Sequence, residues 1–400
     1  NGVALGYQAT TSAAKQIALG SSTAQVKVSG AYTLPTTDGT NGQVLTTDGS
    51  GAVTFADAGG GGGGDPDLYA DSANGSAVTP TANAGGSYNS VAIGNGADIG
   101  SGRGDSIAIG TDALTNQSQA LAIGRSATVN PSGTWGTAVG RNSVVNGQSA
   151  VALGNSYASG TDSFAAVIDT NSSSYGATGS GAAAIMNWAK ASSSNSGAFG
   201  FGANATNSMA YAFGAQTFAT GNSSVSLGRN SLASATYSIC IGNAGQNNIQ
   251  SSIKFSGSQH ANQGDAQIGL YPLMADTTDA TATAMVTNHQ TTPGAGTANQ
   301  IVLPNNSAYA FHGTIVARQK AGDGTACAAW KVEGLIRREA NAGTTVLVNS
   351  ATTVLDNTPN WGMALSADTT NGGLKVQVTG AASTNIRWTT SITTSELTYA

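Results

Sequence analysis

The sequence predicts an all-β protein: a parallel solenoid of 14-residue coils, followed by a C-terminal antiparallel β-sandwich. Three observations lead there. The composition is glycine-rich, with 55 glycines in 400 residues, only 9% charged residues and 6% aromatic ones. A short apolar tetrapeptide ending in glycine recurs at a near-constant interval. Beyond residue 300 the repeat gives way to longer runs in which apolar and polar residues alternate.

The composition excludes several classes at once. Glutamate occurs only at Glu333, Glu339 and Glu396, and long helices need Glu, Lys, Leu and Arg on their faces, so helical bundles and α/β folds are not expected. Few large side chains leave little apolar volume for one compact core. Such a chain becomes stable by stacking small units, by sharing a core with other chains, or both. Regular hydrophobic spacing argues against disorder. The net charge of −5 provides no basic footprint, so no nucleic-acid partner is expected. No apolar run reaches the length of a membrane helix and no secretory leader is visible, so no membrane insertion is expected. Asn1 opens inside a repeat, which predicts a piece of a longer protein whose N-terminal part joins other proteins.

Residues 1–30 read as the end of a first solenoid segment, with Val3-Ala4-Leu5-Gly6 and Ile17-Ala18-Leu19-Gly20 one period apart. Residues 31–58 read as a small hairpin module. In it the Asp38-Gly39 and Asp48-Gly49 pairs separate short apolar runs, the signature of tight turns. Residues 59–85 follow as a linker. Its six glycines, Gly59 to Gly64, lack the Gly-Lys-Ser/Thr and the strand–helix context of a phosphate loop.

Residues 86–245 carry the main repeat. Val91-Ala92-Ile93-Gly94, Ile107-Ala108-Ile109-Gly110 and Leu121-Ala122-Ile123-Gly124 recur, then Thr137-Ala138-Val139-Gly140 and Val151-Ala152-Leu153-Gly154. Gly200, Gly214, Gly228 and Gly242 continue the series, with Met186 at the glycine position before Gly200. Between Gly154 and Met186 the register blurs around Phe164 to Ile168, which predicts irregular turns. A second short strand follows each tetrapeptide, as in Ala127-Thr128-Val129 or Ser143-Val144-Val145. Two short strands and two corners make one coil, and coils stacking in parallel at about 4.8 Å give about eleven coils over some 50 Å. Glycine is expected at the corners, where a Cβ would clash. Alanine at the middle of the tetrapeptide suits a narrow interior. The flanking Ile and Val point outward and need another chain to cover them.

Ser90-Val91-Ala92-Ile93-Gly94, Ser106-Ile107-Ala108-Ile109-Gly110 and the near match Ser238-Ile239-Cys240-Ile241-Gly242 resemble the head of trimeric autotransporter adhesins of the YadA type. That resemblance implies a left-handed β-roll and a homotrimer, a roll also met in bacteriophage fibres. The 31–58 module resembles one common in phage fibres.

Residues 246–299 read as a connector and 300–400 as the sandwich. Seven strands are expected, at 300–303, 309–319, 327–338, 344–348, 362–367, 373–379 and 385–398. From about residue 258 the chain resembles a C-terminal domain of tailed-phage structural proteins. The match lies in Asp276-Thr277-Thr278-Asp279-Ala280-Thr281, Ile301-Val302-Leu303-Pro304, Ala329-Trp330-Lys331, Trp361, Ala367-Asp368-Thr369-Thr370-Asn371-Gly372 and Asn385-Ile386-Arg387-Trp388. Strand parity places Trp330 with Val332 and Ile336, Trp388 with Ile386 and Ile392, and Trp361 with Met363 and Leu365. Core packing, rather than ligand stacking, is expected of all three. No membrane-barrel strands and no heptad coiled coil are visible at the end of the chain, which favours the phage resemblance over the adhesin.

Catalytic chemistry is not expected. Asp98, Asp105 and Asp112 read as turn residues rather than as a glycosidase pair. His260, His289 and His312 lack a second ligand or a nucleophile, and His312 reads as a satisfied strand histidine. Asp65, Asp67 and Asp71 match no organised calcium loop, so no metal and no cofactor is expected. Arg103-Gly104-Asp105 spells an integrin tripeptide, but three residues in so glycine-rich a chain are weak ground for adhesion through it. Cys240 stands where other coils have alanine and reads as a buried free thiol, not half of a disulfide with Cys327. The residues singled out are the corner glycines: Gly6, Gly20, Gly94, Gly110, Gly124, Gly140, Gly154, Gly200, Gly214, Gly228 and Gly242. With the resemblances, they imply a trimeric tail-fibre stalk in the virion whose distal domain binds a host-surface glycan or protein. The alternatives are a bacterial adhesin head at the cell surface and a polysaccharide-degrading spike.

Overall fold

The computed structural model describes residues 2–19, 27–28, 32–35, 37–47, 49–57, 89–167, 169, 174–289, 292–294 and 298–399. The chain forms two units, Asn1–Tyr69 and Ala70–Ala400. Gly20, Asp48, the Gly59–Gly64 run, Asp65, Asp67, Asp71 and Ile168 lie outside the described residues.

In the first unit, Val3–Leu5 and Ile17–Leu19 pair in parallel with Val3 opposite Ile17, one repeat apart. Gln43–Thr47 and Val53–Asp57 form an antiparallel hairpin around Gly49 and Gly51, both at positive φ.

The second unit begins as a parallel β-solenoid. The tetrapeptide strands stack from Val91–Ile93 upward, each in register with the next: Ala92 opposite Ala108, Ala108 opposite Ala122, and on to Ser226 opposite Cys240. The second strands form an 11-stranded sheet on the other side of the coil. Around Phe164 one coil is short and the next long, yet Phe164–Ala166 still pairs with both neighbours, so the irregularity is confined to the corners. Buried alanines such as Ala122, Ala138, Ala152, Ala184, Ala198 and Ala212 form one cluster with Val129 and Val145. Each contributes little, since a buried methyl is worth about 0.8 kcal/mol. The larger apolar side chains of the tetrapeptide strands point the other way, and Val91 and Leu227 stay 40% and 45% exposed.

The ladder runs one coil past Gly245. Ile253–Ser256 pairs in parallel with Ile239–Asn243, placing Lys254 opposite Cys240 and Ser256 opposite Gly242. On its other edge it pairs antiparallel with Ala266–Thr277, and there the solenoid stops. Ala266–Thr277 lies in what the sequence suggested was a connector. It opens an antiparallel sheet in the order Ala266–Thr277, Ile386–Thr398, Ser307–Gln319, Cys327–Arg338, Val346–Asp356. A second sheet centres on Gly373–Thr379, flanked by Gly362–Asp368 on one side and by Ala282–Ala284 and Ile301–Val302 on the other. Both sheets contribute to one buried cluster that includes Tyr271, Phe311, Ile315, Val376 and the three tryptophans. Trp330 and Trp361 each lie 5.8 Å from the Trp388 ring, whose Nε1–H donates to Thr277 Oγ1 at 2.9 Å. The three rings are core, as their parity predicts. The only helical turn among the described residues is the 3₁₀ segment Ala342–Thr344, and no helix there is long and apolar enough to cross a membrane.

Cys240 is buried, Cys327 is exposed and both are free thiols. Burial pushes the Cys240 thiol up to about 11, so thiolate is scarce at neutral pH. Native protein is expected to take up one maleimide per chain, at Cys327, and a second only in denaturant. Equal labelling of both thiols in native protein, read by mass spectrometry, would contradict this packing.

Candidate functional site

Each regular coil turns through three left-handed positions. The tetrapeptide glycines Gly94, Gly110, Gly124, Gly140, Gly200, Gly214, Gly228 and Gly242 hold φ between 111° and 136°. Gly6, in the first unit, has φ of 116°. Gly154 departs at 73°, beside the short coil, and Met186 at 87°. A second corner position is left-handed at Asp112, Ser126, Asn142, Trp188, Gln216 and Asn230. A third, on the opposite corner, is left-handed at Asp105, Gln119, Trp135, Asn195, Ser223 and Tyr237. Asn, Asp, Ser and Gly suit such backbone, which explains Asp105 and Asp112 as turn residues. These two belong to different corners, and Asp98 lies in the strand Asp98–Ile99, not in a corner. Asp105 also accepts from Asn89 Nδ2 at 3.2 Å.

The histidines stand apart from one another. His260 and its neighbours Ala261 and Asn262 donate backbone N–H groups to the Asp265 carboxylate. Those bonds hold the Asp265 carboxyl below its ordinary range. His289 Nε2 lies 3.1 Å from Asp276 Oδ2 on the surface. His312 lies on strand Ser307–Gln319 with its side chain exposed. Among the described residues no group of three or more His, Cys, Asp or Glu is placed to hold a metal ion.

The main ionic feature sits where the solenoid meets the antiparallel sheet. Lys254 occupies the inward position that alanine holds in most coils, and its Nζ lies 3.0 Å from Glu396 Oε2, both side chains almost wholly buried. Gln267 Nε2 donates to Glu396 Oε2 at 2.9 Å, Thr394 Oγ1 to Oε1 at 2.8 Å, and the Tyr271 hydroxyl also to Oε1. Burial alone would raise the Glu396 carboxyl. The Lys254 charge and the hydroxyl donors outweigh it and hold the group below its ordinary range. Burial and the Glu396 charge push the Tyr271 hydroxyl well up. Every oxygen of the carboxylate is engaged, so the cluster is a structural joint. Sequence reasoning missed it, although counting one repeat beyond Cys240 reaches Lys254.

Outside this joint lies an apolar groove of about 350 Å³, lined by Tyr237, Ile239, Ile253, Leu270 and Pro272. It continues the outward Ile and Val column of the solenoid onto the first strand of the sheet. Stacked thin coils that turn the apolar side chains of their tetrapeptide strands outward define a β-solenoid that presents surface rather than encloses a cavity.

The YadA head domain repeat matches residues 104–127, 132–156, 203–231 and 219–244, all within the β-solenoid. No curated protein matches. Among solved structures, the tailspike protein gp49 of Acinetobacter baumannii bacteriophage Fri1, a capsular polysaccharide depolymerase, is 9% identical. That match covers 76% of this chain and 61% of that one, with a TM-score of 0.19. The tailspike of Acinetobacter baumannii phage AM24 is 8% identical over 77% of this chain and 54% of its own, at a TM-score of 0.20. The chain therefore spans less than two thirds of either tailspike's length. The expectation of a chain without catalytic activity is corrected here: a depolymerase stands among the structures it matches. At that TM-score the match assigns no active site to this chain.

Proposed function

We propose that the chain is a structural and surface-binding part of a bacteriophage tail fibre, in which three copies pack their solenoids side by side and the C-terminal sheets face the host. One observation carries the reading: the tetrapeptide strands keep alanine inside and turn their Val, Ile and Leu outward, partly buried in most coils and 40%, 37% and 45% exposed at Val91, Ile107 and Leu227. A single chain gains little from that arrangement, whereas copies packed on this face bury the column continuously. Supporting it are the YadA head repeats and the resemblance of residues from about 258 onward to a tailed-phage domain. Three copies present each weak surface site three times, so avidity replaces single-site affinity. Its place is the virion tail, joined to other tail proteins, and its target a glycan or protein of the host surface. The YadA head repeats favour a second reading, the head of a bacterial trimeric adhesin.

Native mass spectrometry of the full chain is expected to give three times the chain mass; a monomer would end the shared-core argument. Immunogold labelling then separates the two readings. Label on phage tails is expected, and label on uninfected bacterial cells would decide for the adhesin.

A further inference from the structure

Most of the left-handed corner positions carry Gly, Asn, Asp, Ser or Gln, as their backbone demands. One coil breaks this rule twice within three residues. Met186 holds φ of 87° at the tetrapeptide glycine position, and Trp188 holds φ of 59° at the following corner position. Bulky side chains are disfavoured in this region, and such strain collects where contact with a ligand retains it. Burial does not offset it here, for Met186 is 51% exposed and Trp188 47%. In the next coil Phe201 lies beside them, 40% exposed, its ring 5.0 Å from that of Trp188 and tilted by 44°. Polar side chains share this corner of the solenoid. Asn187 Nδ2 lies 3.4 Å from Asp169 Oδ2, and Gln216 is exposed one coil beyond Gly202 on the same corner.

We propose that Trp188 and Phe201 form a glycan-binding platform on this corner, with Asn187, Asp169 and Gln216 as its polar rim. The proposal rests on the surface-binding reading above and names a site for it. A pyranose ring presents an apolar C–H face and a rim of hydroxyls. Two exposed aromatic rings match the face, while amide and carboxylate groups match the hydroxyls with donors and acceptors. A second copy of the chain would be met by the Ile and Val column on the strand faces, whereas Trp188 lies on the corner beside them. The strained backbone also makes an unusual forecast: asparagine fits φ of 59° better than tryptophan does, so Trp188→Asn removes the platform without weakening the coil.

The test uses the full chain on a microarray of bacterial capsule, O-antigen and lipooligosaccharide glycans, and in parallel on intact bacterial cells. The wild type is expected to be retained by at least one glycan. Trp188→Asn and Phe201→Asn are expected to lower that retention about tenfold, the scale of losing one ring-stacking contact. Trp135→Asn, on the other corner, should leave retention unchanged, and the thermal midpoint of Trp188→Asn should not fall. Glycan retention untouched by Trp188→Asn, or no retained glycan at all, overturns the site. So does a lower midpoint with a changed oligomer mass, which would make the patch a contact between copies. Cell binding that persists in the variant leaves the surface-binding reading standing, whereas a wild type that binds neither cells nor glycans overturns both.

Discussion

Lys254→Ala is expected to destabilise the Ala70–Ala400 unit by about 3–5 kcal/mol, the usual cost of removing one partner of a buried ion pair. The loss is large because Glu396 stays behind, buried against Tyr271 and Thr394 without its cation. The pH dependence should also change sign. In the wild type the folded Glu396 carboxyl is held below its ordinary range. Its contribution to stability is therefore present above the unfolded value, about 4.3, and is lost as pH falls through the lower folded value. Without Lys254, burial is left as the dominant influence and raises the carboxyl. The variant then keeps that contribution below the unfolded value and loses it as pH rises through the folded one. Denaturant unfolding at pH 4 and pH 8 checks both signs: the gap between variant and wild type should be wider at pH 8. A gap equal at both values would show that Glu396 is not the group left uncompensated. Lys254→Met with Glu396→Gln should recover part of the loss, because no charge remains buried.

The joint also shows where sequence reading reaches and where it stops. The solenoid was legible because one tetrapeptide recurs in register, and each recurrence predicts both the inward alanine and the corner glycine. The C-terminal strands Ser307–Gln319, Cys327–Arg338, Gly373–Thr379 and Ile386–Thr398 were legible because one face is buried and the other wet, which produces clean alternation. Ala266–Thr277 was not, for both its faces carry apolar residues: Tyr271 and Leu273 inward, Ile268 and Leu270 outward, with Pro272 between. Val346–Asp356 was read as a strand ending at 348. It is an edge strand exposed on nearly its whole length, so no alternation marks its polar half from Asn349 to Thr353. The register from Ala212 through Ser226 and Cys240 to Lys254 was countable, but a lysine in an alanine position resembles the end of the pattern, not its last rung. Its partner lies across the chain in the final strand, and nothing local links the two. The left-handed corners were expected from the glycines, whereas the bulky residues that share them at Met186, Trp188 and Tyr237 carry no sequence mark of strain.

Gly214→Ala is expected to be among the costliest single-methyl changes in the solenoid. Two effects add at this position. Gly214 has φ of 119°, outside the left-handed pocket that Asn or Asp can share, and holding an L-residue there costs about 1–3 kcal/mol. The added Cβ would also stand 1.9 Å from the Gly228 carbonyl oxygen, a backbone atom held by its own ladder pairing to Gly242. Neither coil can move without breaking register with the next, so overpacking adds to the strain, for a total of about 2–4 kcal/mol. Gly102 provides the control in the same unit: its φ is 72° and nothing lies within 4 Å of a new Cβ. Gly102→Ala should lose only the conformational part, about 1 kcal/mol. Met186 shows how the solenoid admits a side chain in this column, since its backbone relaxes to φ of 87° beside the irregular coil. Stacked coils contact only their neighbours, so the damage should stay local. Amide hydrogen exchange is expected to lose protection in Tyr211–Ala215, Val225–Arg229 and their second strands, while the alanine ladder below Ala166 keeps it. Uniform loss along the whole solenoid would instead mean that the coils unfold as one cooperative block.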